Sequence, residues 1–220
     1  MKISLFLLTL TCFGLTGTVY GQGRIVMLNG NEKRFSSAEI KGDVIVYQPE
    51  KGKTNLTKKL DIFDVFAIVR DKEGEQVVYK PDTVSGEDPS VDEVRDYIVG
   101  EKYASNVYRK PLNLISGIAA GGVGSMIGYY GLIVPIVYPA VLGRFSPKLK
   151  QPLTLNYDAI SGKFSPIDSS VSKPNIVVTE AFTAGYVKKA RGMKIKNSLI
   201  GGGIGFAVGI TILALVFDED

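Results

Sequence analysis

The side chains that could carry chemistry are concentrated in two charged clusters. The first is acidic and contains Glu87, Asp88, Asp92, Glu93 and Asp96. Closely spaced carboxylates can bind a divalent cation. Negative charge is also favoured at a helix N-terminus on dipole grounds alone. We therefore interpret the acidic cluster as a solvated helix start.

The second cluster is basic and directly precedes an apolar tract. Its members are Lys188, Lys189, Arg191, Lys194 and Lys196. Such residues bind anionic lipid head groups at about 1 kcal/mol each when they lie at a membrane surface. They also determine the orientation of a membrane segment without binding anything specific. Both interpretations of the cluster stay open.

Other reactive groups are scarce. The chain has no histidine, and its single cysteine, Cys12, lies in an apolar N-terminal stretch. Imidazole bases and thiol nucleophiles are therefore missing from residues 22–220. Gly52-Lys53-Thr54 is similar to the end of a phosphate-binding loop, but Tyr47 occupies the position where that motif needs its first glycine. We predict no catalytic residue, no metal site, no cofactor and no enzymatic activity.

Two uncharged tracts determine the class of protein. They run from Leu112 to Gly143 and from Asn197 to Phe217. Apolar runs of about 18 residues or more are typical of membrane spans, since hydrocarbon excludes charge. As one helix, the first tract would be about 48 Å long, against a hydrocarbon core of about 30 Å. It must be interrupted, and the candidates are Gly128-Tyr-Tyr-Gly131 and the prolines at 135 and 139.

Small residues recur every fourth position in both tracts. The predicted helix-packing residues are Gly117, Gly121 and Ser125 in the first tract and Gly201, Gly205 and Gly209 in the second. This spacing gives one helix face a smooth strip on which another backbone can pack closely. The two strips could face each other or a partner's helix. A faint internal repeat relates residues 100–128 to residues 185–209.

The remaining segments predict an α+β protein, with a small antiparallel β domain (SH3-like or a meander) followed by α-helical membrane segments. Four strands are expected, at Arg24–Leu28, Asp43–Tyr47, Ile62–Arg70 and Gln76–Tyr79, with turns at Asn29-Gly30, residues 51–53 and Glu73-Gly74. The predicted order is a signal peptide (1–21), the β domain (22–81), an acidic linker and capped helix (82–111), the first tract as a kinked span or short hairpin (112–143), a basic loop ending in an amphipathic helix (144–196), a second transmembrane helix (197–217) and an acidic tail (218–220).

Two arguments disagree about the topology of the first tract. Residues 144–196 contain 10 basic and 3 acidic side chains. The positive-inside tendency therefore favours a single crossing that leaves this loop in the cytoplasm. The length of the tract and the internal repeat favour a hairpin, because both basic helices would then enter the membrane from the same side. We favour one crossing with an interfacial or re-entrant piece, on charge bias. A third alternative places these helices in the outer membrane or in a protein assembly, where the positive-inside tendency does not apply.

Three short stretches resemble an uncharacterised family of envelope proteins from Bacteroidota. They are Tyr97-Ile-Val-Gly-Glu101, Phe145-Ser-Pro-Lys148 and Gly185-Tyr-Val-Lys-Lys-Ala-Arg191. The β domain is also similar to small periplasmic modules of that phylum. The resemblance implies a small β domain joined to glycine-rich transmembrane helices, and it implies no activity.

The sequence thus predicts a non-enzymatic protein of the bacterial cell envelope, in the inner membrane with a periplasmic N-terminal domain. Its expected partners are membrane lipid and either a protein partner or a second copy through the glycine strips, and no nucleic acid. The alternative function is a small transport or channel subunit. Against it, the tracts lack the charged side chains that mark transport pathways.

Overall fold

The computed structural model describes residues 22–50, 56–82, 86, 88–108, 111–150, 153, 155–158, 162–166 and 176–217. The predicted signal peptide, the turn at 51–53 and the acidic tail lie outside these residues. The chain divides into two compact units, residues 1–91 and 92–220. Each unit is described by itself.

The first unit is built on one antiparallel sheet of six strands. The strands are β1 (Gly23–Met27), β2 (Glu32–Lys41), β3 (Val44–Pro49), β4 (Lys58–Asp61), β5 (Val65–Arg70) and β6 (Gly74–Val77). Their order in the sheet is β4-β3-β2-β1-β5-β6. The first four strands form a meander, and the β5–β6 hairpin adds to the free edge of β1. The predicted α+β class with an antiparallel N-terminal domain is confirmed.

The β1–β2 hairpin turns where the sequence predicts. Gly30 adopts a φ of 72°, a conformation that glycine accepts without steric cost. The Asn29 side chain accepts a hydrogen bond of 3.1 Å from the Asn31 N–H. One apolar cluster of the sheet is fully buried; it contains Ile25, Phe35, Ala38, Ile45, Tyr47, Val65 and Ile68.

The strand prediction was incomplete at β2 and β4. The register of β2 shifts between Phe35 and Ser37, so its apolar residues do not alternate regularly. β4 has the sequence Lys-Lys-Leu-Asp, which is typical of a short charged edge strand. Neither segment has the apolar run by which strands are recognised.

The predicted third strand, Ile62–Arg70, was too long. Residues Ile62–Asp64 form a 3₁₀ turn, and the Asp61 side chain caps it by accepting a 3.0 Å hydrogen bond from the Phe63 N–H. The predicted Gln76–Tyr79 strand ends at Val77 instead. The N–H groups of the next two residues both donate to the Phe66 carbonyl, which ends the regular ladder.

The second unit contains four α-helices and a small hairpin. The elements are α1 (Val91–Val107), α2 (Leu112–Ser125), a 3₁₀ helix (Gly128–Leu132), α3 (Ile133–Arg144), β7 (Leu155–Asp158), β8 (Lys163–Pro166) and α4 (Glu180–Phe217). The predicted helix after residue 90 is confirmed. The β7–β8 hairpin lies in the segment expected to be a loop.

The first apolar tract is a hairpin of two helices. It breaks at Gly128, which has a φ of 66°, within the Gly-Tyr-Tyr-Gly stretch that the sequence suggested. Pro135 and Pro139 lie inside α3 instead. Pro135 is tolerated there because the first turn of a helix has no carbonyl partner for its N–H groups.

The second apolar tract is not a separate helix. It is the last part of α4, which continues for 38 residues from the basic segment without interruption, or about 57 Å. The helices predicted before and after residue 197 join into one, since neither proline nor a positive-φ glycine stands there. Within the described residues, α4 is the one helix long and apolar enough to cross a membrane.

The polar end of the second unit has its own core. Tyr103 of α1 lies 5.7 Å from Phe182 and 6.2 Å from Tyr186 of α4, measured between ring centroids. Phe164 of β8 meets Tyr103 edge-on at 5.8 Å. This core holds α1, the first half of α4 and the β7–β8 hairpin together.

Candidate functional site

The strips of small residues meet between α2 and α4. A methyl group added to Gly117 would overlap the backbone carbonyl of Ser198, and one added to Gly201 would overlap the carbonyl of Leu114. The two backbones are therefore in direct contact. Only glycine permits this approach, because it has no Cβ.

The contacts of this seam are reciprocal. Gly121 faces the carbonyl of Gly202, and Gly205 faces the carbonyl of Ile118. The glycines form two pairs, Gly117 with Gly201 and Gly121 with Gly205. Within a pair, each glycine contacts the carbonyl of the residue three positions before the other glycine. The contacts also advance in the same direction along both helices, so α2 and α4 run parallel.

The reciprocal pattern continues into the polar end of the unit. Gly100 of α1 faces the carbonyl of Phe182, and Gly185 faces the carbonyl of Tyr97. The two halves of the internal repeat thus lie side by side and parallel, related by a local two-fold axis. At the other end, Gly209 lies against the side chain of Ser125, whose hydroxyl donates to the Gly122 carbonyl at 2.6 Å.

The structure brings together all six residues predicted for helix packing. They face each other within the chain, which was the first of the two alternatives. Five of them are buried, and Gly209 is half-buried.

The α3 helix packs against a different face of α4 from the one that contacts α2. Gly202 of α4 lies against Pro135, and Gly143 lies against Ile195. These contacts run in opposite directions along α3 and α4, so the helices are antiparallel. Gly124 and Gly131 meet backbone to backbone across the turn of the hairpin.

Burial is inverted in this group of helices. The residues inside are mostly glycine, serine and proline, with Phe206 as a large buried side chain, while most of the large apolar side chains face outward. Among the exposed ones are Leu112, Ile115, Val123, Met126, Ile133, Ile136, Val141, Leu199, Val208, Ile212 and Leu215. Ser198, with no exposed surface and no hydrogen-bond partner for its hydroxyl, lies in the seam.

A buried carboxylate lies in the polar half of the same helix pair. Glu101 follows Gly100 on α1 and is only 4% exposed. Its Oε1 lies 3.7 Å from the Lys188 ammonium, and its Oε2 has no hydrogen-bond partner. Burial raises the pKa of the Glu101 carboxyl, although Lys188 and Lys189 act to lower it.

The basic residues of α4 make different contacts from one another. Lys188 lies 5.1 Å from the centre of the Tyr97 ring, and hydrogen bonding to Tyr97 raises its pKa. Arg191 donates to the Ser146 hydroxyl at 2.7 Å. Lys194 approaches the Phe145 carbonyl at 3.4 Å.

The contacts of Lys188, Arg191 and Lys194 place Tyr97–Glu101 and residues 145–146 beside the 185–191 stretch. Parts of these three stretches thus lie together at the polar end of the helices. Lys189 is half-buried and Lys196 is exposed. Sequence reasoning did not single out Glu101 or Ser198 as buried polar groups. The sequence contained one indication of the burial of Glu101, namely its position next to Gly100, which belongs to the internal repeat.

Three members of the acidic cluster make separate contacts, and Glu87 lies outside the described residues. Asp96 accepts a 2.8 Å hydrogen bond from the Thr179 hydroxyl. Asp92 pairs with Arg95 at 3.1 Å, and Asp88 accepts from the Asp82 N–H. Within the part of the chain that the structure describes, no group of acidic side chains could hold a metal ion.

The sheet of the first unit carries a basic groove of about 720 Å³. It is lined by Lys33, Arg34, Tyr47, Pro49, Glu50, Lys58 and Lys59. Glu50 pairs with Arg34 at 3.8 Å, so the groove keeps an excess of positive charge.

Comparison with known proteins adds no relative, since no family model, curated protein or solved structure matches the chain.

Proposed function

We propose that this protein is a non-enzymatic scaffold of the bacterial cell envelope, anchored in the inner membrane by its glycine-packed helices. The observation that carries the proposal is the inverted burial of α2, α3 and α4. In water, such a group would bury isoleucine and leucine, because each buried aliphatic side chain contributes about 1.5–3 kcal/mol.

Lipid removes that driving force, because acyl chains are as apolar as leucine. Helices in a bilayer associate instead through close backbone packing at small residues. The reciprocal glycine–carbonyl contacts between α2 and α4 are of this kind. The long apolar helix α4 supplies one segment able to cross the bilayer.

The parallel course of α2 and α4 constrains the topology. Since both helices enter the apolar region in the same direction, residues 92–111 and 145–196 belong on the same side. With a cleaved signal peptide, that side is the periplasm, and the end of α4 points to the cytoplasm. On this proposal the β domain, which precedes residue 92 in the chain, is periplasmic as well.

This topology goes against the positive-inside tendency. The contacts of α4 explain why the basic segment is nevertheless compatible with it. Lys188 is paired with Glu101, and Arg191 and Lys194 bind residues 145 and 146. These three side chains hold neighbouring segments of the chain together, and this role does not depend on which side of the membrane they lie.

The glycine strips are occupied within the chain, so they do not present themselves to a partner. We assign partner binding to the β domain instead. Its basic groove favours an acidic segment of another envelope protein, because the charges of Lys33, Lys58 and Lys59 complement carboxylates.

Cysteine labelling in intact vesicles tests the topology. Cys12 is replaced by serine, and single cysteines are placed at Ser165 on β8 and at Val216 near the end of α4. A membrane-impermeant maleimide added from the side of the β domain should label Ser165→Cys and leave Val216→Cys unlabelled. Labelling of Ser165→Cys only from the opposite side would refute the topology, and extraction of the protein by alkaline carbonate would refute membrane integration.

The alternative, a small transport or channel subunit, predicts flux. Purified protein in liposomes should pass no ions if it is a scaffold. Ion flux that is lost with the Glu101→Gln variant would favour transport over scaffolding.

A further inference from the structure

We infer that the α2–α3 hairpin is re-entrant: it enters the bilayer beside α4 and returns without crossing. This inference rests on the proposed membrane location. It concerns the depth of each helix in the bilayer, which the proposed scaffold role does not specify.

The register of the seam gives the depth of each helix. Leu114 faces Gly201, so Leu112 lies at about the level of Asn197, and both apolar tracts begin together. Ser125, the last residue of α2, lies against Gly209. From Asn197 to Gly209, α4 rises about 18 Å at 1.5 Å per residue.

The last part of α4 continues alone. Residues 210–217 add about 12 Å of helix, and none of the side chains described between 210 and 216 is buried. The apolar part of α4 therefore has the length of the bilayer core, about 30 Å. The α2 helix, with 14 residues, has about two thirds of it.

The return helix is equally short. Pro135 lies at the level of Gly202, and Gly143 lies at the level of Ile195. All of α3 is therefore beside the first half of the span. Three helices occupy the part of the bilayer next to the polar end of the unit, and beyond about residue 210 α4 continues alone.

The tip of the hairpin then lies in the bilayer interior. Tyr129 and Tyr130 are each 82% exposed there, and their rings meet edge to face at 6.2 Å. This depth differs from the interfacial position that tyrosines usually take in membranes.

Depth-dependent fluorescence quenching tests the inference. The chain has no tryptophan, so Tyr130→Trp, Leu112→Trp and Val216→Trp each introduce a single fluorophore at an exposed position. Each full-length variant is reconstituted into phosphatidylcholine vesicles whose acyl chains carry bromine either near the head group or near the chain end.

We expect Tyr130→Trp to be quenched more by the deep bromines, and Leu112→Trp and Val216→Trp more by the shallow ones. Stronger shallow quenching of Tyr130→Trp would overturn the inference, because a hairpin that crosses the bilayer or lies on its surface places the tip at an interface. Flotation of the same vesicles reports membrane incorporation separately. A protein that fails to float would refute the membrane proposal itself.

Discussion

At the scale of single residues, the helix seam depends on missing side chains. Gly117, Gly121, Gly201 and Gly205 each bring a backbone carbonyl of the opposite helix to the place where a Cβ would be. Gly203, on the opposite face of α4, has open space at that place. The same residue type therefore has opposite consequences at positions two residues apart.

Substitution by alanine should have opposite effects on stability at a glycine in the seam and at a glycine outside it. Gly205→Ala should lower the free energy of unfolding by about 1–3 kcal/mol, because the new methyl group overlaps the Ile118 carbonyl. Gly203→Ala should raise it by up to about 1 kcal/mol, since alanine favours the helix. Unfolding followed by circular dichroism in detergent micelles measures both, and equal shifts of the two variants would contradict the seam.

The buried Glu101 should make the stability of the second unit depend on pH. Burial raises the pKa of its carboxyl in the folded state, so the folded protein binds more protons than the unfolded chain above the ordinary glutamate range. The contribution of Glu101 to stability is then complete at low pH and is lost as the pH rises through the folded-state pKa.

Two substitutions at the Glu101–Lys188 pair have opposite expected effects on this pH dependence. Glu101→Gln should flatten it, whereas Lys188→Met should steepen it by removing the cation 3.7 Å away. Denaturation midpoints between acidic and neutral pH measure the slopes. A slope unchanged by Glu101→Gln would show that another group causes the dependence.

At the scale of elements, the hairpin decides the arrangement of the helices. The positive φ of Gly128 reverses the chain after α2, and α3 then packs antiparallel to α4. Because α2 and α4 are consequently parallel, the two halves of the repeat pair as two identical helices would in a symmetric dimer.

A designed disulfide between the ends of α2 and α4 should test the parallel register of these two helices. A Cβ at Gly209 would lie 2.7 Å from that of Ser125, and a small relaxation reaches the separation of about 3.8 Å that a disulfide prefers. In a Cys12→Ser background, Ser125→Cys with Gly209→Cys should therefore cross-link under mild oxidation. Ser125→Cys with Gly203→Cys should not, and mobility in non-reducing gels distinguishes them; cross-linking of the control pair alone would contradict the register.

At the scale of the whole molecule, the two units bury different kinds of residue. The sheet of the first unit buries Ile25, Phe35 and Ile68, as a domain in water does. The apolar half of the second unit buries glycine and exposes isoleucine. This difference is what the proposed membrane location of the second unit requires.

The first unit should fold without the second. A fragment of residues 22–89 is expected to be soluble without detergent and to unfold in urea with one cooperative transition, although a domain of this size is only marginally stable. A fragment of residues 92–220 should require detergent. Aggregation of the first fragment, with no urea transition, would show that its core depends on the rest of the chain.

Much of the fold was predictable because local patterns specify it. The β1–β2 turn followed from Asn29-Gly30, and the break in the first tract followed from its glycines. The strands β2 and β4 were missed because charge and a bulge hide their alternation. The burial of Glu101 and Ser198 could not be predicted, since each depends on a helix about 80 residues away along the chain.

The sequence by itself determined the α+β class, the apolar tracts and the four-residue spacing of their small residues, because composition and periodicity are properties of the chain alone. Only the tertiary structure decided that the strips face each other, that α2 and α4 are parallel and that α4 is continuous. The reason is that a strip of small residues can pack closely against any other such strip, because it has no large side chains that select a partner. Which one it meets depends on the direction in which the turn at Gly128 sends the chain.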